Sequence, residues 1–181
     1  GIDIPANIAG ALLSAIISDT LLFKSPTCTP VDTKIAKRLA KIAGVDLVEL
    51  GKEMFKAGTS LKGKTMDQIF YQDYKRFSIG KRQIGVAQVN TMDIEGFEEY
   101  RDTMLAYMNT QVEAQHLDAA FVLLTDVINA ASQLFVAGPK AEIAARAFKV
   151  TIKNSEAFLP GIISRKKQVI PAITEAIEQM G

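Results

Sequence analysis

The sequence has one cysteine, Cys28, and one histidine, His116. A lone cysteine excludes an internal disulfide, and a free thiol fits a reducing, cytoplasmic setting. Cys28 stands in a Pro/Thr-rich loop with no partner for nucleophilic catalysis. The lone histidine excludes a histidine-rich metal centre built from this chain, and His116, at the end of a helical pattern, reads as a polar helix-end residue. Charge of neither sign dominates: 21 Lys and Arg face 20 Asp and Glu, a formal net charge of +1. No bulk field therefore argues for nucleic acid or a membrane surface. No apolar run is long enough to span a bilayer, no stretch reads as a signal peptide, and no internal repeat or low-complexity segment occurs.

What is present is an apolar content of 48% over 181 residues, enough for a core. Residues 6 to 18 are dense in apolar side chains and predict a mostly buried helix ending near Asp19. Thr29-Pro30 reads as a cap and first helical residue, opening a helix over Val31 to Ala43 with Ile35, Leu39 and Ile42 on one face. Gly44 closes it. Asp46 caps another helix reaching about Lys56, with Leu47, Leu50 and Met54 inward. Gly58 to Thr65 is polar and glycine-rich, a linker.

Beyond it, Met66 to Tyr71 predicts a short helix, and Lys75 to Asn90 a β-hairpin turning at Gly80-Lys81-Arg82. A long amphipathic helix is expected over Ile94 to Gln115, buried through Phe97, Tyr100, Met104, Leu105, Met108 and Val112. Ala120 to Asp126, Ser132 to Ala137 and Val150 to Ile152 read as strands. Ala141 to Phe148 and Ile170 to Met180 read as helices. The expected class is α/β: helices first, then a mixed sheet flanked by helices.

One stretch calls for chemistry. In Ser164-Arg165-Lys166-Lys167-Gln168 three cations stand side by side between apolar segments. A solvated face is the commoner origin of such a run. A multiply charged anion is the sharper one, since an arginine fork grips two oxygens of one phosphate and a lysine adds a mobile charge. Near the start the chain reads Ser18-Asp19-Thr20-Leu21-Leu22-Phe23-Lys24-Ser25-Pro26-Thr27. With Glu53-Met54-Phe55-Lys56-Ala57-Gly58-Thr59 and Ala87-Gln88-Val89-Asn90-Thr91-Met92-Asp93 between them, these motifs resemble the manganese-dependent (family II) inorganic pyrophosphatases, a branch of the DHH phosphoesterases. The resemblance covers essentially the whole chain. The Asp-His-His triplet of the family's amino-terminal part has no match here.

The resemblance implies a division of the chain. Residues 1–57 would be the end of a metal-binding DHH domain, 58–65 a linker, and 66–181 a substrate-binding DHHA2 domain. It implies that Asp19 is a ligand to a manganese pair (cobalt or magnesium being further options), whose other ligands lie outside this chain. A carboxylate oxygen suits such hard cations. It further implies that Lys75, Arg165 and Lys166 clamp pyrophosphate, with Lys167 and Gln168 supporting the motif. If Arg165 and Lys166 both face one ligand, the chain must turn there, and a loop is expected, because adjacent residues of a strand point to opposite faces. The partners implied are pyrophosphate, the missing DHH portion and a second copy in a homodimer of the complete enzyme. This chain alone would hydrolyse little. The alternatives are an exopolyphosphatase or another DHH-superfamily phosphoesterase, or a non-catalytic anion-binding module.

One motif is a decoy. Gly58-Thr59-Ser60-Leu61-Lys62-Gly63-Lys64-Thr65 fits the P-loop pattern. A phosphate-cradling loop needs a buried strand before it, and Leu47 to Lys56 has helical spacing instead.

Overall fold

The computed structural model describes residues 3–61, 63–92 and 95–180. It comprises two units, Gly1–Ser60 and Leu61–Gly181.

The first unit is helical: α1 (Ala6–Asp19), α2 (Pro30–Ala43) and α3 (Leu47–Gly58). The start signals of α2 act as their chemistry dictates. The Thr29 hydroxyl accepts from the Asp32 amide, and the Asp32 carboxylate accepts from the Thr29 amide, a reciprocal box with Pro30 just inside. Gly44 ends the helix at φ 69°, a conformation its missing Cβ permits. The Asp46 carboxylate caps α3 by accepting from the amides of Val48 and Glu49, both at 2.9 Å.

The packed faces differ from those expected. Only one side of α1 is buried, through Ala9, Leu13 and Ile17, while Ile8 and Leu12 are exposed. On α2 the buried residues are Ala36 and Leu39, and Ile35 is exposed. On α3 they are Gly51 and Phe55, with Leu47, Leu50 and Met54 only half-buried. An i, i+3, i+4 pattern of apolar residues fixes a stripe but not its centre, and on α2 and α3 the buried centre is shifted by one residue from the stripe predicted.

The second unit is built on a five-stranded sheet in the order β1-β2-β3-β4-β5. The strands are β1 (Tyr74–Ile79), β2 (Arg82–Thr91), β3 (Ala119–Asp126), β4 (Ala131–Ala137) and β5 (Glu156–Pro160). β2 and β3 pair in parallel; the other neighbours are antiparallel. A parallel pair needs a crossover. It is supplied by a 3₁₀ segment, Glu95–Tyr100, leading into α5 (Arg101–Ala114). The expected single helix is therefore 3₁₀ in its first turns; Ile94, its predicted start, and Asp93 lie outside the described residues.

Every residue of β3 is buried, so its apolar side chains serve both faces. On one face Ala87, Val89, Val122, Leu124 and Phe135 pack with Met104 and Met108 of α5 and with Ile69 and Phe70 of α4 (Met66–Phe70). On the other Ile84, Val86, Phe121, Leu123 and Leu134 pack with Ile143 of α6 (Glu142–Phe148) and Ile173 of α7 (Ile170–Glu178).

The strand expected at Val150 to Ile152 does not form. That segment packs Val150 and Ile152 on the second face without joining the sheet. The chain then reverses at Asn154 and Ser155 (φ 50° and 65°), where Lys153 and Glu156 exchange two backbone hydrogen bonds of 3.0 Å. The strand follows as β5, an edge strand opening on a glutamate and closing on a proline.

Candidate functional site

The site is assembled at one edge of the sheet from two segments distant in sequence. The first is the start of β1. A capping box of Thr65 and Gln68 begins α4, and a 3₁₀ turn over Tyr71–Asp73 delivers the chain to the strand. Tyr74 anchors it by donating to Gln115 Oε1 at 2.7 Å. The tyrosine lies against Gly85: a Cβ there would come within 2.7 Å of the Tyr74 hydroxyl. Lys75 follows, exposed, directly opposite Val86. Cross-strand partners point to the same face, so the Lys75 side chain leaves the sheet on the face that carries α7.

The second segment follows β5. Gly161 turns at φ 75°, and residues 162–164 are tied down by polar side chains. Ser132 Oγ donates to Ile162 O at 2.6 Å. Gln168 Oε1 accepts from the amides of Ile163 and Ser164, both at 3.0 Å, while its Nε2 donates to Gly161 O at 2.7 Å. Gln88, from the middle of β2, holds the same loop. Its Nε2 donates to Ile163 O at 3.0 Å and to Thr125 Oγ1 at 3.1 Å, and its Oε1 accepts from the Arg165 amide at 3.3 Å.

The expected loop at Arg165 is in fact one π-helical turn, Arg165–Val169, capped by Ser164 and continuous with α7. Such turns concentrate at functional sites. The three cations thus occupy the first turn of a helix, where the positive end of the dipole opposes them. The Lys166 amide has no acceptor among the described residues. Lys166 and Lys167 are exposed, whereas Arg165 is buried.

The Arg165 guanidinium reaches back to the first segment. It donates to Asp73 O at 2.5 Å, to the Asp73 carboxylate at 2.7 Å and to Val86 O at 3.3 Å. Val86 is the strand partner of Lys75. The structure therefore joins Arg165, which neighbours Lys166 in sequence, to the β1–β2 pair that carries Lys75, although 92 positions separate Asp73 from Arg165. The supporting roles of Asp73 and Gln88 were not read from sequence. For Gln88 a signal existed: it is a polar residue that follows Ile84 and Val86 on one face of β2.

Asp19 is the last residue of α1 in the first unit, with its side chain exposed. The helix stops there because Leu21, Leu22 and Phe23 all take left-handed backbone angles, φ 47°, 52° and 67°. Such angles cost about 1–2 kcal/mol per non-glycine residue. Buried Thr20 holds the turn: its hydroxyl donates to Ile16 O at 2.7 Å and accepts from the Phe23 amide at 3.2 Å. Among the described residues no group of three His, Cys, Asp or Glu side chains could hold a metal ion. Asp19 offers one hard ligand and does not make a centre by itself.

The P-loop resemblance fails on its context. α3, not a strand, precedes it, and Lys64 donates to Gln72 Oε1 at 2.9 Å; Lys62 lies outside the described residues. His116 is exposed just past α5, at φ 52°. Cys28 is half-buried, with only weak sulfur contacts to Thr29 O and the Thr33 hydroxyl. No helix among the described residues is long and apolar enough to cross a membrane.

The second unit is a mixed five-stranded sheet with helices packed on both faces, and lysine and arginine stand at the start of its α7 segment. The DHHA2 domain family matches residues 52–176, and the chain belongs to it. It is 56% identical over 177 residues to the cobalt-dependent inorganic pyrophosphatase of Clostridium perfringens, covering 98% of this chain and 32% of that protein. It is 43% identical over 178 residues to the manganese-dependent inorganic pyrophosphatase of Bacillus subtilis, covering 98% and 58%. A solved structure from Methanococcus jannaschii, described as a family II inorganic pyrophosphatase, superposes with a TM-score of 0.87 at 35% identity, covering 98% of this chain and 58% of that one. The chain thus spans under two thirds of the length of these relatives.

Proposed function

We propose that this chain is the carboxy-terminal portion of a family II inorganic pyrophosphatase and supplies the cationic clamp for the substrate. The observation that carries the reading is the junction of Arg165 with the β1–β2 pair that bears Lys75, beside the helix start that bears Lys166. Pyrophosphate is a dense, multiply charged anion. A guanidinium fork, two ammonium groups and an unpaired helix-start amide are complementary to its oxygens. Held together, these groups orient the two phosphoryl groups and offset charge that builds on the departing phosphate.

In this reading residues 1–57 end a DHH domain, 58–65 link it to a DHHA2 domain over 66–181, and Asp19 contributes one carboxylate to a manganese or cobalt site. The names of the relatives carry those metals. The exposed Ile8 and Leu12 on α1 support a first unit that is part of something larger, since a helix apolar on several sides is normally covered on several sides. The described residues do not by themselves form that metal site.

The test is phosphate release from pyrophosphate with Mn²⁺, run on the longer protein and on the 181-residue chain. The longer protein should turn over and lose activity with Arg165→Ala; the chain alone should hydrolyse little. Equal turnover by both would sink the assignment of labour. Release from polyphosphate but not pyrophosphate would point to a different phosphoesterase.

A further inference from the structure

We infer that Asp73 is a positioning residue for Arg165: it selects which edge of the guanidinium is left to meet a phosphate oxygen. This rests on the clamp reading above.

An arginine side chain has five N–H donors in one plane. Three are engaged: both N–H of Nη1, by Asp73 O and Val86 O, and one of Nη2, by the Asp73 carboxylate. Nε–H and the second Nη2–H have no acceptor among the described residues. Asp73 spans Nη1 and Nη2 and so occupies the end of the fork, leaving the Nε/Nη2 side open. Two parallel donors on that side match two oxygens of one phosphate.

Burial supports positioning over a surface ion pair. The Arg165 side chain is 9% exposed and that of Asp73 is 51% exposed. The guanidinium is thus immobilised against the sheet before any ligand arrives, which lowers the ordering cost of binding. A carboxylate beside a diphosphate site is unfavourable by charge alone, so orientation is the benefit it brings. Asp73 acts through backbone and side chain at once and stands two residues before Lys75. It therefore also fixes the spacing between the fork and that ammonium group.

The experiment uses the full-length protein, with pyrophosphate as substrate. It measures kcat, KM and Tm for Asp73→Ala and Asp73→Asn, each alone and combined with Arg165→Lys. Asp73→Ala should lower kcat/KM about tenfold, the scale of one charge-assisted hydrogen bond. Asp73→Asn should restore most of it, because the amide oxygen accepts the same N–H. In the Arg165→Lys background Asp73→Ala should add nothing. Wild-type kcat/KM in Asp73→Ala overturns the inference, as does an equal loss in the Arg165→Lys background or an Asn variant no better than Ala. Arg165→Ala is the separate control. If it leaves kcat/KM unchanged, the clamp reading itself fails; if it abolishes activity while Asp73→Ala is additive, only the positioning role fails.

Discussion

Gln88 grips the backbone on both sides of Ser164: it donates to Ile163 O and accepts from the Arg165 amide, across 77 positions of sequence for the latter. One side chain in the sheet thereby sets the height of the π turn. Gln88→Leu keeps the size but strands the Ile163 carbonyl and the Arg165 amide. It should cost about 1–3 kcal/mol, read by chemical denaturation, and should raise the KM for pyrophosphate in the longer protein. An unchanged KM at reduced stability would show that the turn keeps its place without Gln88.

Arg165→Ala in the longer protein should lower kcat/KM by about 10²–10³, the scale for removing one preorganised electrostatic donor. Arg165→Lys should recover only part, because a point charge cannot replace two parallel donors. Lys75→Ala and Lys166→Ala, both at exposed positions, should lose less, with losses that shrink as salt screens the site. Phosphate-release kinetics at two ionic strengths measure all four.

The architecture was legible where periodicity and punctuation agree. The cap at Thr29-Pro30, the stop at Gly44, the Gly80-Lys81 hairpin and the apolar runs of β3 and β4 each follow from local chemistry. β5 was not legible, because Glu156 and Pro160 are poor strand residues and only the open edge of β4 recruits them. Within the site, the cations of residues 164–168 stood out as an unexplained charge run, and Lys75 came through family resemblance. Asp73 was invisible: a surface aspartate acquires a task only when a helix from the far end of the chain lays an arginine against it. The π turn was invisible for a similar reason, being held by Gln88 and Ser132 from outside it and by Gln168 folding back from within it.

Gly85→Ala should destabilise the second unit by about 1–3 kcal/mol, as overpacking does. The added methyl would lie 2.9 Å from Leu117 Cδ1 as well as against Tyr74. Displacing Tyr74 should also break its bond to Gln115, and the loss should be visible as a lower thermal midpoint. Tyr74→Phe in the same background should partly relieve it, since the clash is with the hydroxyl.

Asp118 supplies a pH dependence. Burial raises its pKa, but hydrogen bonds from the Gln83 amide and Arg82, with the charges of Arg82 and Lys140, outweigh that and hold it below the ordinary 3.8. A carboxylate depressed in the folded state contributes stability that is complete above its unfolded value and is lost as pH falls through the folded one. Asp118→Asn should therefore lower stability at neutral pH by about 1 kcal/mol, a modest figure because Arg82 is partly solvated. It should also flatten the decline below pH 4. Urea titrations at pH 7 and pH 3 test both.

Asp73 leaves the ribosome long before Arg165 does, and the two meet only after the whole sheet has been laid down between them. The contact between the two side chains can therefore form only once every strand of the sheet has been synthesised. Removing residues 165–178 would leave the sequence of all five strands in place while taking away the arginine that bridges Asp73 and Val86.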